Sequence, residues 1–333
     1  MLEQLERKRL QQGLAGASHE LTLRLHPAED LPKANEKLAE AARDVEVAAA
    51  GKLVVRPGDG RGLPALPALS LQAAGRDNIR YLALPEGQEA APFIDVLVAL
   101  GRGARPQGDW VTGLQALQRP AEVLVFIAAA CPHCPQAVRS ALQLALASDA
   151  VRVTVIDAQF YEALAGRYKV RSVPTTVVDG GYTTIGVQPA PTLARQLIDR
   201  EQPQAVARAF HSMLDSGRVD DAAVWLAAGS ALPAFVHAWR DSTTAARVGL
   251  MLCGQKALEQ SRGALDAVVG DLIALLEAGD AALRGDTADL LGQIGHPAAA
   301  GPVKKLLEDT NPDVAEIAEE ALDGIMERSG EQV

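Results

Sequence analysis

Cys131 and Cys134, two of the three cysteines in the chain, are separated only by Pro132 and His133. On the first turn of a helix, this spacing places two sulfurs within reach of a disulfide. Unpaired backbone N–H groups and the helix macrodipole would stabilise a Cys131 thiolate there, and His133 adds a further donor. Pro132 is tolerated in a first helical turn because its missing N–H breaks no hydrogen bond. The motif therefore predicts a redox-active dithiol.

The two cysteines are expected to have different roles. Cys131, the first and more exposed, attacks a partner disulfide, and Cys134 resolves the mixed disulfide. The alternative for such a pair is half of a zinc site, but no second CxxC or matching histidine pair lies nearby. We therefore expect no metal, and no cofactor besides the redox-active disulfide. Cys253 lies in an apolar helical run and is expected to be buried and inert.

A second feature, Val173-Pro174-Thr175, begins a predicted strand about 40 residues after the dithiol. It is similar to the cis-proline segment of the thioredoxin fold, which faces the sulfurs. The Pro174 ring is expected to keep metal away from the pair. The Val173 backbone, together with Thr175, is expected to bind an extended substrate peptide as an added strand. The alternative is an ordinary proline at a strand edge.

Two stretches of the chain show the same order of elements. Strands are predicted at residues 19–26, 52–56, 68–72, 79–84, 122–128, 151–157, 175–178 and 182–185. Helices are predicted at residues 3–16, 31–48, 88–101, 132–147, 159–167 and 190–200. Corresponding elements are offset by about 100 to 107 residues, which indicates one fold used twice between residues 18 and 200.

The remainder of the chain, from about residue 203, is rich in alanine and leucine and shows almost no strand pattern. Residues 275–294 align with residues 306–325 at an offset of about 31 residues. Asp280 and Asn311 fall in the same turn of this repeat, where each can cap the helix that follows. The pattern predicts stacked helical hairpins, which are similar to HEAT repeats.

The motifs of residues 1–200 resemble the tandem thioredoxin-fold family. This family includes archaeal protein disulfide oxidoreductases and the N-terminal domain of the alkyl hydroperoxide reductase flavoprotein subunit. The specific element is Cys131-Pro-His-Cys134-Pro135. Residues 84–94 resemble the family's Gly-His-Glu-Phe segment, so the resemblance implies that Glu89 lies near the dithiol and assists proton transfer. The alternative for Glu89 is an acidic residue favoured at a helix start.

The chain also departs from the family. Residues 25–30, the corresponding position of the first half, contain no cysteine. No GxGxxG motif follows a strand, so no nucleotide-dependent electron source is visible. The direction of electron transfer stays open: the centre could act as an oxidant, an isomerase or a reductase fed by a partner.

Composition limits the function classes. The formal net charge of -10 argues against nucleic acid as the main partner, because phosphate binding needs a basic surface. No run of about 20 uncharged apolar residues could span a membrane. The charged residues at the start of the chain do not resemble a signal peptide, so a cytoplasmic location is expected if Met1 is the true start.

The predicted fold class is α/β followed by all-α. It comprises an N-terminal helix (1–16), a thioredoxin-like lobe without a CxxC (17–118), a thioredoxin-like lobe with CPHC (119–202) and HEAT-like helical repeats (203–333). The predicted function is a thiol–disulfide oxidoreductase acting on a protein disulfide or dithiol with an external reductase or oxidant, the repeats docking a partner. The alternative is a repeat-based interaction protein whose thioredoxin unit is a redox sensor or scaffold. The oligomeric state is left open.

Overall fold

A computed structural model describes residues 2–117, 119–200, 202–278 and 280–330 of the chain. The chain divides into two compact units, Met1–Arg200 and Glu201–Val333. The first unit mixes helices and strands, and the second is largely helical. Among the described residues, no helix has the length and apolar character needed to cross a membrane.

The strands of the first unit form one eight-stranded sheet. They are β1 (Leu21–His26), β2 (Leu53–Pro57), β3 (Ala68–Ala73), β4 (Arg76–Leu82), β5 (Ala121–Ile127), β6 (Val151–Asp157), β7 (Thr175–Val178) and β8 (Tyr182–Ile185). Their order across the sheet is β2-β1-β3-β4-β6-β5-β7-β8.

The strand directions follow the same scheme in the two halves of the sheet. In the first half, β1 is parallel to β2 and antiparallel to β3, which is antiparallel to β4. In the second half, β5 is parallel to β6 and antiparallel to β7, which is antiparallel to β8. A parallel pairing of β4 with β6 joins the halves. Consequently β4, β6 and β5 run side by side in one direction and end at the same edge of the sheet.

Helices pack on both faces of this sheet, most of them on one face. They are α1 (Gln4–Leu14), α2 (Pro32–Ala48), α3 (Ala90–Arg102), α4 (Asp109–Gln115), α5 (Cys134–Ala147), α6 (Glu162–Arg167) and α7 (Ala190–Asp199). The main core lies under all of these helices except α6, and a smaller cluster lies on the opposite face, where Ala165 of α6 packs. Because successive residues of a strand point to opposite faces, Val123 and Val125 enter the main core while Leu124 and Phe126 enter the smaller cluster.

The start of α5 differs from the prediction of a helix over residues 132–147. The helix begins at Cys134, and Pro132 and His133 lie in the turn before it. The Cys134 N–H reaches back to the Cys131 carbonyl over 3.4 Å, which makes a turn rather than a helical repeat. Pro135, not Pro132, therefore occupies the first helical turn, where a proline breaks no hydrogen bond.

The helix α4 was not predicted from the sequence. It spans Asp109–Gln115. Asp109 and Thr112 are polar and each is next to a glycine, a composition that indicates a loop. Val111 and Leu114 are nevertheless buried in the main core. Tertiary burial of these two side chains stabilises a helix that its weak intrinsic propensity would not.

The second unit consists of helices in its described residues. They are α8 (Pro203–Asp215), α9 (Val219–Ala227), α10 (Leu232–Asp241), α11 (Thr244–Gln260), α12 (Val269–Leu275), α13 (Ala281–Ile294), α14 (Ala300–Lys305) and α15 (Pro312–Gly330). The Asp280 carboxylate accepts from the Ala282 N–H, and the Asn311 side chain accepts from the Asp313 N–H. These corresponding positions thus begin α13 and α15 with the same local hydrogen bond. The HEAT-like character of the unit stays a prediction.

Asn78 of β4 connects the two halves of the sheet through its buried side-chain amide. The amide donates to the carbonyls of Ala145 (2.9 Å), Ser148 (3.2 Å) and Val151 (2.8 Å). These carbonyls belong to the end of α5 and to the start of β6. The Ser148 carbonyl also accepts from the Val151 N–H, and the Ala145 carbonyl from Arg76 Nη2, so the amide adds to the donors at this junction.

The variant Asn78→Leu should lose about 1–3 kcal/mol of unfolding free energy in the first unit, because it removes the buried hydrogen bonds from β4 to the end of α5 and the start of β6. Urea titration followed by pulsed hydrogen exchange of peptides from β4 and β6 measures this loss. Gln12→Leu, which replaces an exposed amide on α1, is the control and should change stability little. Equal stability of the two variants would contradict the assignment.

Candidate functional site

The turn that carries the cysteines follows β5, a strand flanked on both sides. Because β5 pairs with β6 and with β7, its C-terminal end is held in place. The Cys131 N–H donates to the Ala128 carbonyl over 3.0 Å, so the chain turns directly after the strand. Cys134 then begins α5. The Cys131 side chain is partly exposed and Cys134 is fully buried, and both are free thiols.

The segment Val173–Thr175 lies against the dithiol. The Cys131 sulfur is 3.8 Å from the Val173 carbonyl oxygen and donates a hydrogen bond to it. The peptide bond between Val173 and Pro174 is cis. Thr175 is buried, and its hydroxyl donates to the Ser172 carbonyl over 2.6 Å. The structure thus brings Val173 to Cys131, while the Thr175 side chain is engaged within its own loop.

The environment of Cys134 strongly disfavours ionisation of its thiol. Burial raises its pKa to about 12, and a hydrogen bond with Cys131 and the negative charge of Glu89 act in the same direction. A hydrogen bond with the Ala128 backbone opposes this shift. Cys134 therefore stays protonated at neutral pH, and Cys131 is the sulfur that a partner can reach.

Glu89 lies at the same sheet edge as the cysteines. It ends a short 3₁₀ turn, Gly87–Glu89, which connects β4 to α3. Its side chain is only 3% exposed, and neither carboxylate oxygen has a hydrogen-bond partner among the described residues. Burial raises the pKa of Glu89 to about 7, against a smaller opposing effect of Arg139. The structure therefore brings Glu89 within electrostatic range of Cys134 and gives it a pKa suited to proton transfer.

Tyr81 is a polar neighbour of this site that the sequence analysis missed. Its ring packs edge-on against Phe93, with centroids 4.9 Å apart. The hydroxyl is buried with no hydrogen-bond partner among the described residues, and burial together with the Glu89 charge raises its pKa well above the ordinary value. In the sequence, Tyr81 lies in a strand among apolar residues, where an aromatic residue indicates only core packing.

The residues between the cysteines are exposed. Pro132 and His133 both face solvent, and the described contacts of the His133 side chain include no hydrogen bond to either sulfur. Its backbone carbonyl accepts from the Ala137 N–H at the start of α5. A role of His133 in stabilising the thiolate thus stays a prediction, and the structure places the residue at the entrance to the site.

Among the described residues, no group of three or more His, Cys, Asp or Glu side chains is arranged to hold a metal ion. Cys253 is buried in the second unit, and burial raises its pKa to about 12. The reactive sulfur chemistry of the described residues is therefore concentrated at Cys131 and Cys134.

Comparison with known proteins identifies the class of this region. Residues 121–199 match the family model described as a thioredoxin domain. A search of curated proteins finds no match to the chain. Residues 121–199, which carry the dithiol, are therefore a thioredoxin-like domain.

Solved structures resemble a larger part of the chain. The NTD_N/C domain of the alkylhydroperoxide reductase AhpF from Enterococcus faecalis (V583) is 19% identical, with a TM-score of 0.54. The match covers 59% of this chain and 100% of that one. A protein disulfide oxidoreductase from Aeropyrum pernix K1 is 18% identical, with a TM-score of 0.52, over 62% of this chain and 95% of that one. At these identities the likeness is one of fold.

The comparisons confirm part of the sequence-based interpretation. A mixed α/β thioredoxin-like region is followed by a largely helical region, and its structural neighbours are the two kinds of protein that the motifs resemble. The number of thioredoxin folds stays a prediction, as do the roles of the site residues.

Replacing Glu89 should change how stability depends on pH. The pKa of Glu89 is about 7 in the folded protein, against 4.5 ordinarily. Between these values the folded chain binds more protons than the unfolded chain, so wild-type stability falls as pH rises from about 4.5 to 7. Glu89→Gln cannot ionise. We expect it to gain up to about 3 kcal/mol over wild type at pH 8 and little at pH 4.5.

The measurement is urea unfolding of both proteins at pH 4.5, 6 and 8, followed by pulsed hydrogen exchange of peptides from α3. Glu86→Gln, an exposed position in the same loop, serves as the control. A stability difference between Glu89→Gln and wild type that stays constant with pH would show that the carboxyl is not held protonated by burial.

Proposed function

We propose that the protein is a thiol–disulfide oxidoreductase that exchanges disulfides with protein partners through Cys131 and Cys134. The observation that carries this proposal is the pairing of a partly exposed Cys131 sulfur with a buried, protonated Cys134 at the end of β5. This asymmetry assigns different steps to the two sulfurs. The exposed Cys131 sulfur attacks the partner disulfide, and the buried Cys134 sulfur resolves the mixed disulfide.

The proposed reduction of a partner proceeds in two exchanges. The Cys131 thiolate attacks one sulfur of the partner disulfide, the S–S bond breaks, and the other partner sulfur leaves as a thiolate that takes up a proton. Cys134 then loses its proton and attacks the Cys131 sulfur. This releases the second partner thiolate and forms the Cys131–Cys134 disulfide. Two electrons pass to the partner, and an external reductase restores the dithiol. Oxidation of a partner is the reverse sequence, with an external oxidant.

Glu89 is the proposed acceptor for the Cys134 proton. A thiol with a pKa of about 12 needs a base to react at neutral pH, and Glu89 has a pKa of about 7. While ionised, Glu89 opposes the formation of a second negative charge at Cys134. Transfer of the proton to Glu89 removes this repulsion as the thiolate forms.

The Val173 backbone is the proposed partner-binding element. Its N–H has no recorded hydrogen-bond acceptor in the described chain, and its carbonyl accepts only from the Cys131 thiol. An extended peptide could therefore pair with both groups as an added strand. The Pro174 ring fixes the direction of this edge, and the buried Thr175 hydroxyl holds the loop through Ser172.

Exchange activity should separate the three cysteines. Insulin reduction with dithiothreitol as reductant should fall to background in Cys131→Ser, because the attacking sulfur is missing. Cys134→Ser should accumulate a mixed disulfide with the partner, visible on non-reducing gels, because no resolving thiol remains. Cys253→Ser is the control and should retain wild-type turnover. Equal turnover of wild type and Cys131→Ser would refute the proposed function.

We further propose that the helical unit docks the protein partner of the dithiol. Val224 of α9 and Val248 and Leu252 of α11 are exposed apolar side chains, and the two helices pack against each other. Val248 and Leu252 are four residues apart, so they lie on the same side of α11. Val248 and Leu252 therefore form an exposed apolar surface on α11, which can anchor another protein.

This docking proposal is tested by covalent capture. In a Cys134→Ser background, partners from a lysate are trapped as mixed disulfides and quantified by mass spectrometry. Adding Val248→Glu and Leu252→Glu should lower capture about tenfold while insulin turnover of the matching Cys134-containing variant stays unchanged. Met326→Glu, an exposed apolar position on α15, should have no effect. Unchanged capture in the double variant would contradict docking at this surface.

A further inference from the structure

A polar cleft of about 560 Å³ opens on the first half of the sheet. Its floor is formed by side chains of β1, β3 and β4 that point away from the main core, including Arg24, His26, Ser70 and Arg80. Residues 57–63 form one wall. The cleft belongs to the half of the sheet without cysteines, and the proposed exchange reaction makes no use of it.

The cleft exists because the two halves of the sheet are covered differently on this face. In the second half, α6 places Ala165 in a buried cluster with Phe126 and Ile156. In the first half, the connection from β2 to β3 contains no helix in the described chain, and the strands carry polar side chains on this face. An apolar cover is thus replaced by an opening lined with charge.

Two arginines and a serine form a row across the floor of the cleft. Arg24 of β1 is the register partner of Ser70 on β3, and Ser70 is the register partner of Arg80 on β4. Register partners on neighbouring strands point to the same face, with their Cβ atoms about 5 Å apart. The Ser70 side chain therefore lies between the side chains of Arg24 and Arg80.

Arg80 has a buried charge without a close counter-charge. It is only 7% exposed, and burial lowers its pKa. Its Nη1 donates to the Gly62 carbonyl, and no carboxylate of the described residues is within ion-pair distance. Asp77 and Glu122 attract it from farther away, and Arg152 repels it. A buried guanidinium is stabilised by an anionic partner, so this position favours binding of an anion.

Arg24 also has N–H donors that are not used in its hydrogen bonds within the described chain. Its Nε donates to Gln72 over 2.9 Å and its Nη1 to the Pro57 carbonyl over 3.1 Å. A guanidinium has five N–H donors, so three of them are not used in these two bonds. Asp59 is the acid on the loop wall, and Arg61 binds it through the Arg61 backbone N–H and through Nε, the latter over 3.3 Å.

His26 orients the Ser70 hydroxyl. The Gly60 N–H donates to His26 Nδ1 over 3.0 Å, so the ring proton of the neutral imidazole is on Nε2. Nε2 then donates to Ser70 Oγ over 3.0 Å. Burial lowers the pKa of His26, which favours this neutral form. With its oxygen accepting from His26, the Ser70 hydroxyl has its own proton available for a ligand.

We propose that this cleft binds a small molecule through an oxyanion group, a phosphate or a carboxylate, held between Arg24 and Arg80 with the Ser70 hydroxyl as a third donor. Planar guanidinium groups match either oxyanion through paired N–H donors. The volume exceeds that of one phosphate group and is in the range of clefts that hold metabolite-sized ligands. The remainder of the ligand is polar, since Leu63 is the one large aliphatic side chain among the lining residues.

The test uses the full chain and isothermal titration at constant ionic strength, with inorganic phosphate, ribose 5-phosphate and succinate as probes. Wild type should bind at least one probe saturably with a Kd of about 1 mM or lower. Arg24→Gln and Arg80→Gln should each weaken that binding at least about tenfold, because each removes charged donors. Arg195→Gln, an exposed position on α7, changes charge equally and should bind like wild type.

The outcomes separate the ligand classes and the proposal itself. Binding of the two phosphates alone assigns a phosphate ligand, and binding of succinate alone assigns a carboxylate. Absence of saturable binding of all three probes, or binding that survives Arg24→Gln, would overturn the proposal. Arg24 is partly exposed, so its variant keeps the test decisive if Arg80→Gln fails to fold. Retained insulin turnover verifies the fold of each variant.

Discussion

The parallel pairing of β4 with β6 is the interaction on which the geometry of the site depends. It merges two four-stranded arrangements into one sheet and sets three parallel strands, β4, β6 and β5, side by side. The carboxyl ends of parallel strands share an edge, so the residues that follow them meet there. Glu89 follows β4 and Cys131 follows β5. The backbone pairing of β4 with β6 thus brings an acid from the half without cysteines to the thiols of the other half.

The burial of polar groups at this sheet edge has a free-energy cost, which packing of the surrounding core must offset. Glu89 and Tyr81 are buried polar groups without hydrogen-bond partners in the described chain, and such groups cost free energy. The apolar packing around them, including the Phe93 ring against Tyr81, holds them in place. Pre-formed polar groups in a dry environment are typical of reactive centres, where the strength of electrostatic interactions is increased. The unfavourable burial and the shifted pKa of Glu89 thus have the same origin.

Much of this arrangement could be predicted from the sequence, because its signals are local. Every predicted strand of the first unit overlaps an observed one, since alternating or continuous apolar runs report burial directly. The paired cysteines and Pro174 were recognised by spacing. What could not be predicted depends on tertiary contacts. The helix α4 is stabilised by two buried side chains, and the raised pKa of Tyr81 depends on its burial and on the charge of Glu89.

The polar cleft is a second feature that could not be predicted from the sequence alone. Arg24, Ser70 and Arg80 lie on three different strands, and only the register of β1, β3 and β4 sets them in a row. In the sequence, they are ordinary polar positions of half-buried strands. Knowledge of the sheet order was needed to see that they share a face, and that no helix of the described chain covers them.

The hydrogen bond from Cys131 to the Val173 carbonyl links the redox state of the protein to the number of hydrogen-bond acceptors that it offers to a peptide. A thiol can donate this bond, whereas a sulfur joined in a disulfide has no proton to donate. Oxidation therefore frees the carbonyl, and the oxidised form offers a peptide one more acceptor than the reduced form. In the proposed exchange, the reduced and oxidised forms would therefore present different hydrogen-bonding edges to a bound peptide.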